Sequence, residues 1–307
     1  MNSLSISKRT QVVAALVEGV SINSITRMTG VTKRAILKLL QDLGCACAEY
    51  HNRHVLNVKS SRVEVDEIWQ FCYAKEKNVP ADKKGKFGYG DVWTTTGIDA
   101  DTKLIISYLV ARRDARSAQK FMDDLASRIS NRIQLTTDGH RVYANAVENS
   151  FGCAVDYAML VKIYGAPLQE DASTRYSPAT CIDCRTVVIS GDPDPDKICT
   201  SYIERQNLTM RMSMRRFTRL TNGFSKKVEN HGHAVALHFM HYNFCRIHKF
   251  LRVTPAMEAG LSSHVWTIGE LLALLAPKKV DQKAAKRTAE NAMVLRALNR
   301  VKQPVEI

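Results

Sequence analysis

The chain has 307 residues, 45% hydrophobic and 24% charged, which is ordinary for a globular protein with one good-sized core and a smaller module. No apolar run approaches the roughly 20 residues of a membrane-spanning helix, and the first residues lack a signal-peptide pattern. We therefore expect a cytoplasmic protein with no membrane partner. Its eight cysteines are then reduced thiols.

Basic residues are in large excess. The 44 Lys and Arg residues outnumber 30 Asp and Glu, which gives a formal charge of +14 and an isoelectric point near 9.5. Such an excess points to a polyanionic partner, most simply nucleic acid, and favours a nucleoid-associated protein. The alternative is a basic protein that is charged only for solubility.

The first part of the chain predicts three short helices, over 8–19, 22–29 and 33–43. The second and third are joined by Thr29-Gly30-Val31-Thr32, the layout of a helix-turn-helix, with a recognition helix that follows Thr32. This helix offers three basic side chains to DNA: Lys33, Arg34 and Lys38. A three-helix protein-interaction module remains the alternative. We assign 1–47 to this module and 48–60 to a linker.

The core is expected over 61–260, with a basic helical tail over 261–307. Its pattern predicts a β-meander, then alternating helices and strands, then an irregular segment and a long helix. The predicted ranges are strands 62–71, 91–98 and 103–111, helix 117–130, strand 132–137, helix 143–149, strand 157–163, irregular 165–198 and helix 202–217. This order describes an α/β fold with a mixed sheet flanked by helices.

Three acids stand at positions where they can converge. Asp66 lies inside the first strand, Asp138 ends the fourth strand and Glu204 lies one turn into the last helix. Carboxylates that meet in a cleft repel one another unless cations neutralise them, and hard oxygen ligands suit Mg²⁺ or Mn²⁺. Two such ions activate an attacking oxygen and stabilise the leaving oxygen of a phosphodiester. Taken singly, Asp66 also fits an edge strand and Glu204 a helix-capping residue.

The residues around these acids resemble a known family. The chain is similar to bacterial insertion-sequence transposases of the DDE class, most of all the IS1-type group, over roughly residues 60–260. The matching segments are Val65–Trp69, Thr137–Gly139, Tyr202–Arg211, Phe224–Lys226, His241–His248 and Thr254–Met257. The resemblance implies an RNase H-like core with Asp66, Asp138 and Glu204 as the metal-binding triad.

The predicted last helix also supports DNA binding. One of its faces runs from Glu204 through Asn207 and Arg211 to Arg215 at three- and four-residue steps, and Lys226 adds charge nearby. Such a face can hold phosphates that lead into the metal site. A solvated basic helix is the alternative.

Other polar groups carry weaker signals. Alternation places Glu67 on the opposite strand face from Asp66, so we interpret Glu67 as structural. Asp99 and Asp101 fit a hairpin turn. Cys181 and Cys184 form only half a zinc site, and Cys45-x-Cys47 has poor spacing for zinc. His241 and His248 either contact DNA or line the core.

The sequence thus predicts a DNA transposase that nicks element ends and joins the 3′-hydroxyl to target DNA. The resemblance also implies double-stranded DNA as the partner, both terminal inverted repeats and target, held by a homodimer or a larger assembly. One rival is a non-catalytic helix-turn-helix regulator or domesticated copy. Another is a metal-dependent nuclease of the same fold, which cleaves without joining.

Overall fold

A six-stranded mixed sheet forms the centre of the protein. The structure, a computed structural model, describes residues 4–165, 181–218 and 221–275. The strands are β1 (Arg62–Cys72), β2 (Gly90–Asp99), β3 (Ile105–Ala111), β4 (Ile133–Asp138), β5 (Val155–Tyr164) and β6 (Cys181–Ser190), in the order β3-β2-β1-β4-β5-β6. β1, β2 and β3 form an antiparallel meander, β4 and β5 run parallel to β1, and β6 is antiparallel to β5. This order confirms the RNase H-like mixed sheet.

Helices cover both faces of the sheet. Their bounds are α1 (Ile6–Val17), α2 (Ile22–Thr29), α3 (Lys33–His54), α4 (Ala115–Arg128), α5 (Val142–Phe151), α6 (Ser201–Ser213), α7 (Val228–Phe244), α8 (Pro255–Glu258) and α9 (Ile268–Ala273). On one face, Phe121 and Leu125 of α4 lie against Gly97 of β2, where a Cβ would meet them at 3.2–3.3 Å. On the other face, α6 and α7 bury Ile203 and Phe239 against Ile68 of β1. Burial of these apolar side chains is the main stabilising term of the core.

The three N-terminal helices have the predicted starts. Ser5, Ser21 and Thr32 cap them, each accepting a hydrogen bond from a backbone N–H of the first turn. Gly30 ends α2 at a φ of +71°, a conformation that glycine adopts without strain. The helical module expected at the N-terminus is therefore present.

The third helix is longer than predicted. α3 continues to His54, through the first half of the expected linker, instead of ending at residue 43. Gly44 does not stop it, because the missing side chain lets α7 approach: a Cβ at Gly44 would lie 2.5 Å from the Cβ of His233. Further along, the buried His51 hydrogen-bonds the Ile106 carbonyl of β3 at 3.0 Å. One helix therefore belongs to both the N-terminal module and the core.

Two predictions for the region before and after α6 are wrong. The segment 165–198 was expected to be irregular, yet residues 181–190 form β6. β6 is an edge strand with mostly exposed side chains, so it lacks the apolar alternation that marks a half-buried strand. α6 ends at Ser213 rather than near Phe217, and Arg215 lies in the short 3₁₀ turn that follows.

The division into module, linker, core and tail stays a prediction. Residues 276–307, most of the predicted basic tail, lie outside the described residues. Within the part of the chain that is described, no helix is both long enough and apolar enough to cross a bilayer.

Candidate active site

Asp66 and Asp138 lie side by side because of the sheet register. The parallel strands β1 and β4 pair Val65 with Thr137, so the next residue on each strand is an aspartate on the same sheet face. β4 ends at Asp138, where the chain turns at Gly139. A Cβ at Gly139 would lie 2.9 Å from the Val161 side chain, so this turn packs closely on β5.

Helix α6 is attached to β1 at two points. Glu64, two residues before Asp66, accepts hydrogen bonds from the backbone N–H groups of Tyr202 and Ile203, both at 2.9 Å. It thereby supplies the first turn of α6 with the acceptor that helix N-termini need. One helical turn further, the Asn207 amide donates to Asp66 Oδ2 at 2.8 Å. The strand that carries Asp66 therefore positions the helix that carries Glu204.

Glu204 enters the same cleft and is held there. A cleft of about 340 Å³ is lined by Asp66, Asp138 and Glu204, together with the Lys162 side chain of β5. Lys162 forms an ion pair with Glu204, and the Thr200 hydroxyl donates to the same carboxylate. The three predicted acids thus line one cleft.

The most closely grouped ligand atoms belong to a different set of acids. One carboxylate oxygen each from Asp66, Glu67 and Asp138 lie within 4.8 Å of one another. Glu67 accepts a hydrogen bond from the Tyr143 hydroxyl at 2.6 Å and pairs with Arg113 at 3.2 Å, and Arg113 also lies 3.7 Å from Asp138. Glu67 therefore has structural contacts on its own face, and its carboxylate also borders the two aspartates. Its interpretation as purely structural was incomplete.

Burial and neighbouring carboxylates both raise the pKa of Asp66. Burial raises the pKa of Asp66 to about 7, with further increases from Asp138, Glu67 and Glu204, although a hydrogen bond from the Glu67 N–H opposes them. Burial also raises the pKa of Glu64 to about 7, against the two α6 N–H bonds and the charges of Lys103 and Arg62. Carboxylates packed in this way bind a proton or a cation more readily than exposed ones.

The donor set fits a hard divalent cation. Every candidate ligand is a carboxylate oxygen, and the buried Asn207 Oδ1 has no hydrogen-bond partner among the described residues, so it offers a further oxygen beside Asp66. Oxygen-only sets of this kind suit Mg²⁺ or Mn²⁺ rather than softer metals. Asp66 and Asp138 would hold the ion, with Glu67 or Glu204 able to complete the set.

The predicted DNA-binding residues lie in different environments. Lys33 and Arg34 are exposed at the start of α3, and Lys38 is exposed but pairs with Asp42. Asn207 is mostly buried and donates to Asp66, so its amide lies at the acidic cleft, and its contact with DNA stays a prediction. Among the remaining basic residues, Arg211 is half-buried on α6, Arg215 is exposed beyond its end, and Lys226 lies over the Phe224 ring at 3.1 Å.

Several residues of the site were missed by sequence reasoning. Glu64 shares the Asp66 face by simple alternation, which was visible, but its role as a cap on a helix 138 residues later was not. Lys162 lies close to the end of β4 because Leu160, two residues before it on β5, pairs with Asp138. Only the sheet order reveals this register. Arg113 and Tyr143 come from loop and helix positions with no local motif.

None of the other weak candidates lines the acidic cleft. Asp99 accepts the N–H groups of Asp101 and Thr102, which confirms the hairpin turn. Cys181 and Cys184 are exposed, and their Sγ atoms lie 3.7 Å apart. Within the described ranges they belong to no group of three possible metal ligands. His241 is half-buried on α7, and His248 lies beyond the helix end.

Comparisons with known proteins give only distant structural likeness. No protein-family model matches the chain, and no curated protein matches it. A solved structure of the piggyBac transposase synaptic complex with hairpin DNA has a TM-score of 0.42 and 9% identity, covering 94% of this chain and 78% of that one. The Mos1 strand transfer complex has a TM-score of 0.23 and 11% identity, covering 78% and 76%. The Mos1 transposase paired-end complex with left transposon end has a TM-score of 0.20 and 13% identity, covering 48% and 59%. Likeness this distant carries no functional conclusion, so we take function from the site itself.

Proposed function

We propose that this protein is a metal-dependent DNA transposase of the DDE class, within the bacterial insertion-sequence transposases of the IS1-type group. The carrying observation is the cleft in which Asp66, Asp138 and Glu204 meet, from two neighbouring parallel strands and a helix attached to one of them. The formal charge of +14 favours a polyanionic substrate, and double-stranded DNA fits it.

In the proposed reaction, the chain's own residues position the reacting groups. A water oxygen bonds to the phosphorus at the element end, the bond from phosphorus to the 3′ oxygen breaks, and the water proton passes to that oxygen. In the same cleft, the freed 3′-hydroxyl oxygen then bonds to a phosphorus of target DNA, the bond from that phosphorus to its own 3′ oxygen breaks, and the hydroxyl proton passes to the released 3′ oxygen. Two bound Mg²⁺ or Mn²⁺ ions would supply stabilisation of the attacking and leaving oxygens.

The surrounding contacts explain why the acids can serve in both steps. Asn207 fixes the Asp66 carboxylate, and Glu64 fixes the turn of α6 that presents Glu204. Lys162 neutralises Glu204 until substrate and cations arrive. Side chains that are already held in position need little rearrangement during the reaction, which is the basis of electrostatic preorganisation.

Basic residues outside the acidic cleft would recognise DNA. Lys33, Arg34 and Lys38 on α3 would contact the terminal inverted repeats, and Arg211, Arg215 and Lys226 would contact phosphates near the site. A homodimer or larger assembly would hold two ends at once, in the cytoplasm at the nucleoid. Their exposure supports Lys33 and Arg34 in this role.

The decisive experiment is strand transfer with Mg²⁺ on pre-cut end DNA. We compare wild type with Asp66→Asn, Asp138→Asn and Glu204→Gln, and use Asp99→Asn as a control, since Asp99 is a buried carboxylate of the same sheet that holds a turn. Each site variant should lose joining by at least about 10²–10³-fold, the range seen when one stabilising group is removed from a preorganised site. Asp99→Asn should keep it.

The rivals give different outcomes in the same assay. A nuclease of this fold would cut uncut ends but never join pre-cut ones. A non-catalytic regulator or domesticated copy would bind end DNA in EDTA and produce neither product. Joining that survives in all three site variants would overturn the site assignment.

A further inference from the structure

A second cleft lies beside α6, apart from the acidic one. It encloses about 660 Å³ and is lined by residues of α6, the end of α7 and the turn that follows it. Four of its side chains are cationic, namely Lys103, Arg205, Arg246 and Lys249, and no acidic residue is among the described residues that line it. The cleft therefore has the charge of an anion-binding site.

The two clefts occupy opposite flanks of one helix. Tyr202, Gln206 and Thr209 recur at helical spacing and face the basic cleft, whereas Glu204 faces the acidic one. Ile203 and Met210 hold the helix on the sheet between them. An α-helix with its side chains is about 10–12 Å across, so a ligand can reach from one cleft to the other within a few nucleotides.

A buried amide, that of Gln206, lines the basic cleft. Gln206 is 2% exposed, and its Nε2 has no hydrogen-bond partner in the described parts of the chain. His248 also lines the cleft, and its buried Nδ1 likewise has no hydrogen-bond partner among the described residues. Buried polar groups are nearly always hydrogen-bonded, and leaving one unpaired costs free energy. A ligand with polar atoms in this cleft would satisfy both.

Aromatic rings complete the cleft. Lys103 is mostly buried with its ammonium 3.3 Å from the centre of the Tyr202 ring. Phe250 also lines the cleft and is 83% exposed, more than any other large apolar side chain in the described part of the chain. Its turn is closed by two backbone bonds, from His248 N to Val253 O at 2.9 Å and from Arg252 N to His248 O at 2.8 Å. The ring is therefore presented on a fixed turn.

We infer that the basic cleft binds an unpaired nucleotide of a DNA strand, with its base against Phe250 and its phosphate among Arg205, Arg246 and Lys249. Cations that follow a backbone, combined with exposed aromatic rings, are the chemistry of single-strand recognition. The polar edge of the base would meet Gln206 and His248. This inference rests on the proposed function only for the identity of the strand, which would be one that also passes the acidic cleft.

The test is fluorescence anisotropy in EDTA, which silences the proposed metal site. The probes are a labelled oligothymidylate and a duplex of the same length, and the variants are Phe250→Ala and Arg246→Ala. Phe250→Ala should weaken oligothymidylate binding by about 5–100-fold, the worth of one stacked base, with little change for duplex. Arg246→Ala should lower the salt dependence for the single strand by about 0.7 in the logarithmic slope.

Two controls separate a ligand role from general charge or stability. Phe87→Ala and Lys120→Ala remove an exposed ring and an exposed cation elsewhere, and they should change neither probe. Gln206→Met approximately keeps the side-chain volume and removes the amide, whose Nε2 has no partner among the described residues. It should leave thermal stability unchanged or raised, yet weaken oligothymidylate binding, a combination that a structural role for the amide would not produce.

The result that would overturn the inference is equal loss for single strand and duplex in the Phe250 and Arg246 variants. Competition by a mononucleotide as strong as that by the oligonucleotide would also overturn the inference, because the cleft would then bind a free nucleotide instead. Photocrosslinking of 5-iodouracil oligonucleotide should mark peptides that contain Tyr202 or Phe250; exclusive marking elsewhere counts against it. Oligonucleotide binding is measured without metal and strand transfer with Mg²⁺, so failure of the catalytic proposal is read separately.

Discussion

Glu64 Oε2 and the backbone nitrogen of Tyr202 lie 2.9 Å apart, so the strand that carries Asp66 also caps the helix that carries Glu204. The same oxygen accepts the Ile203 N–H. The distance between Asp66 and Glu204 is therefore set by Glu64, which is buried and does not line the acidic cleft. Glu64 is a positioning residue in this arrangement.

This relationship predicts the effect of Glu64→Ala. Loss of the cap should reduce the free energy of unfolding by about 1–2 kcal/mol, the usual cost of removing a helix cap. Strand joining should fall further than that stability loss explains, because Glu204 loses its fixed position, whereas DNA binding in EDTA should persist. Glu64→Gln keeps an acceptor oxygen and should recover part of the joining activity.

The matched control is Thr267→Ala, which removes the capping-box threonine of α9, an element absent from both clefts. Urea unfolding and strand-transfer rates are measured for all three variants. If Thr267→Ala lowers joining as much as Glu64→Ala at equal loss of stability, the cap acts only through global stability and the positioning role is wrong.

Asp66 should destabilise the metal-free fold at alkaline pH. Its folded pKa is raised to about 7 from 3.8, so the folded state binds the proton more tightly than the unfolded state. That contribution to stability is present below pH 3.8 and is lost as the pH rises through about 7. Asp66→Asn should therefore raise the free energy of unfolding at about pH 8 by about 1–4 kcal/mol, and much less near pH 4.

The response to Mg²⁺ shows whether Asp66 is a metal ligand or only a buried charge whose removal stabilises the fold. Wild type should gain thermal stability on Mg²⁺ addition at about pH 8, because an ion that binds only the folded state stabilises it by mass action. Asp66→Asn should gain little. Asp99→Asn, which alters another buried acid with a raised pKa, should keep the full Mg²⁺ response. A Mg²⁺ response that persists in Asp66→Asn would remove Asp66 from the metal site.

Much of the site was predictable because its key residues lie on one strand and at one strand end. Alternation along Arg62–Cys72 placed Glu64 and Asp66 on a common face, and the strand end at Asp138 was marked by the following glycine. Alternation also placed Glu67 correctly on the other face. It could not show that the Glu67 carboxylate borders Asp66 and Asp138, because that depends on where Tyr143 and Arg113 hold it.

The remaining errors arose where tertiary contacts override local pattern. The third helix was predicted to end just before Gly44, but Gly44 packs against α7, where a Cβ would lie 2.5 Å from the Cβ of His233. β6 has the β-branched run Thr186 to Ile189, which was a usable signal, but its exposure removed the alternation. The Lys162–Glu204 ion pair joins two elements whose adjacency follows only from the sheet order.

Lys162 should restrain Glu204 in the absence of metal. Its ammonium pairs with Glu204 inside the acidic cleft and competes with any cation for that carboxylate. Lys162→Gln should therefore lower the Mg²⁺ concentration needed for half-maximal joining, by about 3–10-fold if one partly exposed ion pair is worth about 1 kcal/mol. Mg²⁺ titrations of strand transfer measure this. Lys197→Gln, which removes an exposed pair with Asp194, is the control; a raised Mg²⁺ requirement in Lys162→Gln would mean that the lysine assists substrate instead.

His51 should make the junction between α3 and the core sensitive to acid. Burial lowers its pKa from 6.5 to about 4, with the Arg128 charge adding to the shift, against the hydrogen bond to Ile106 and the Asp124 charge. A neutral buried histidine contributes stability that is present above pH 6.5 and lost as the pH falls toward 4. The difference in unfolding free energy between wild type and His51→Gln should therefore shift by about 3 kcal/mol over that interval, at about 1.4 kcal/mol per pH unit.

Urea unfolding at several pH values tests this, with His54→Gln as the control because His54 is exposed at the end of the same helix. The control should follow wild type at every pH. If His51→Gln also runs parallel to wild type, His51 is solvated in the folded protein and the second half of α3 does not pack on β3. The N-terminal module would then be joined to the core by a linker, as predicted from the sequence, rather than by a helix that packs on the core.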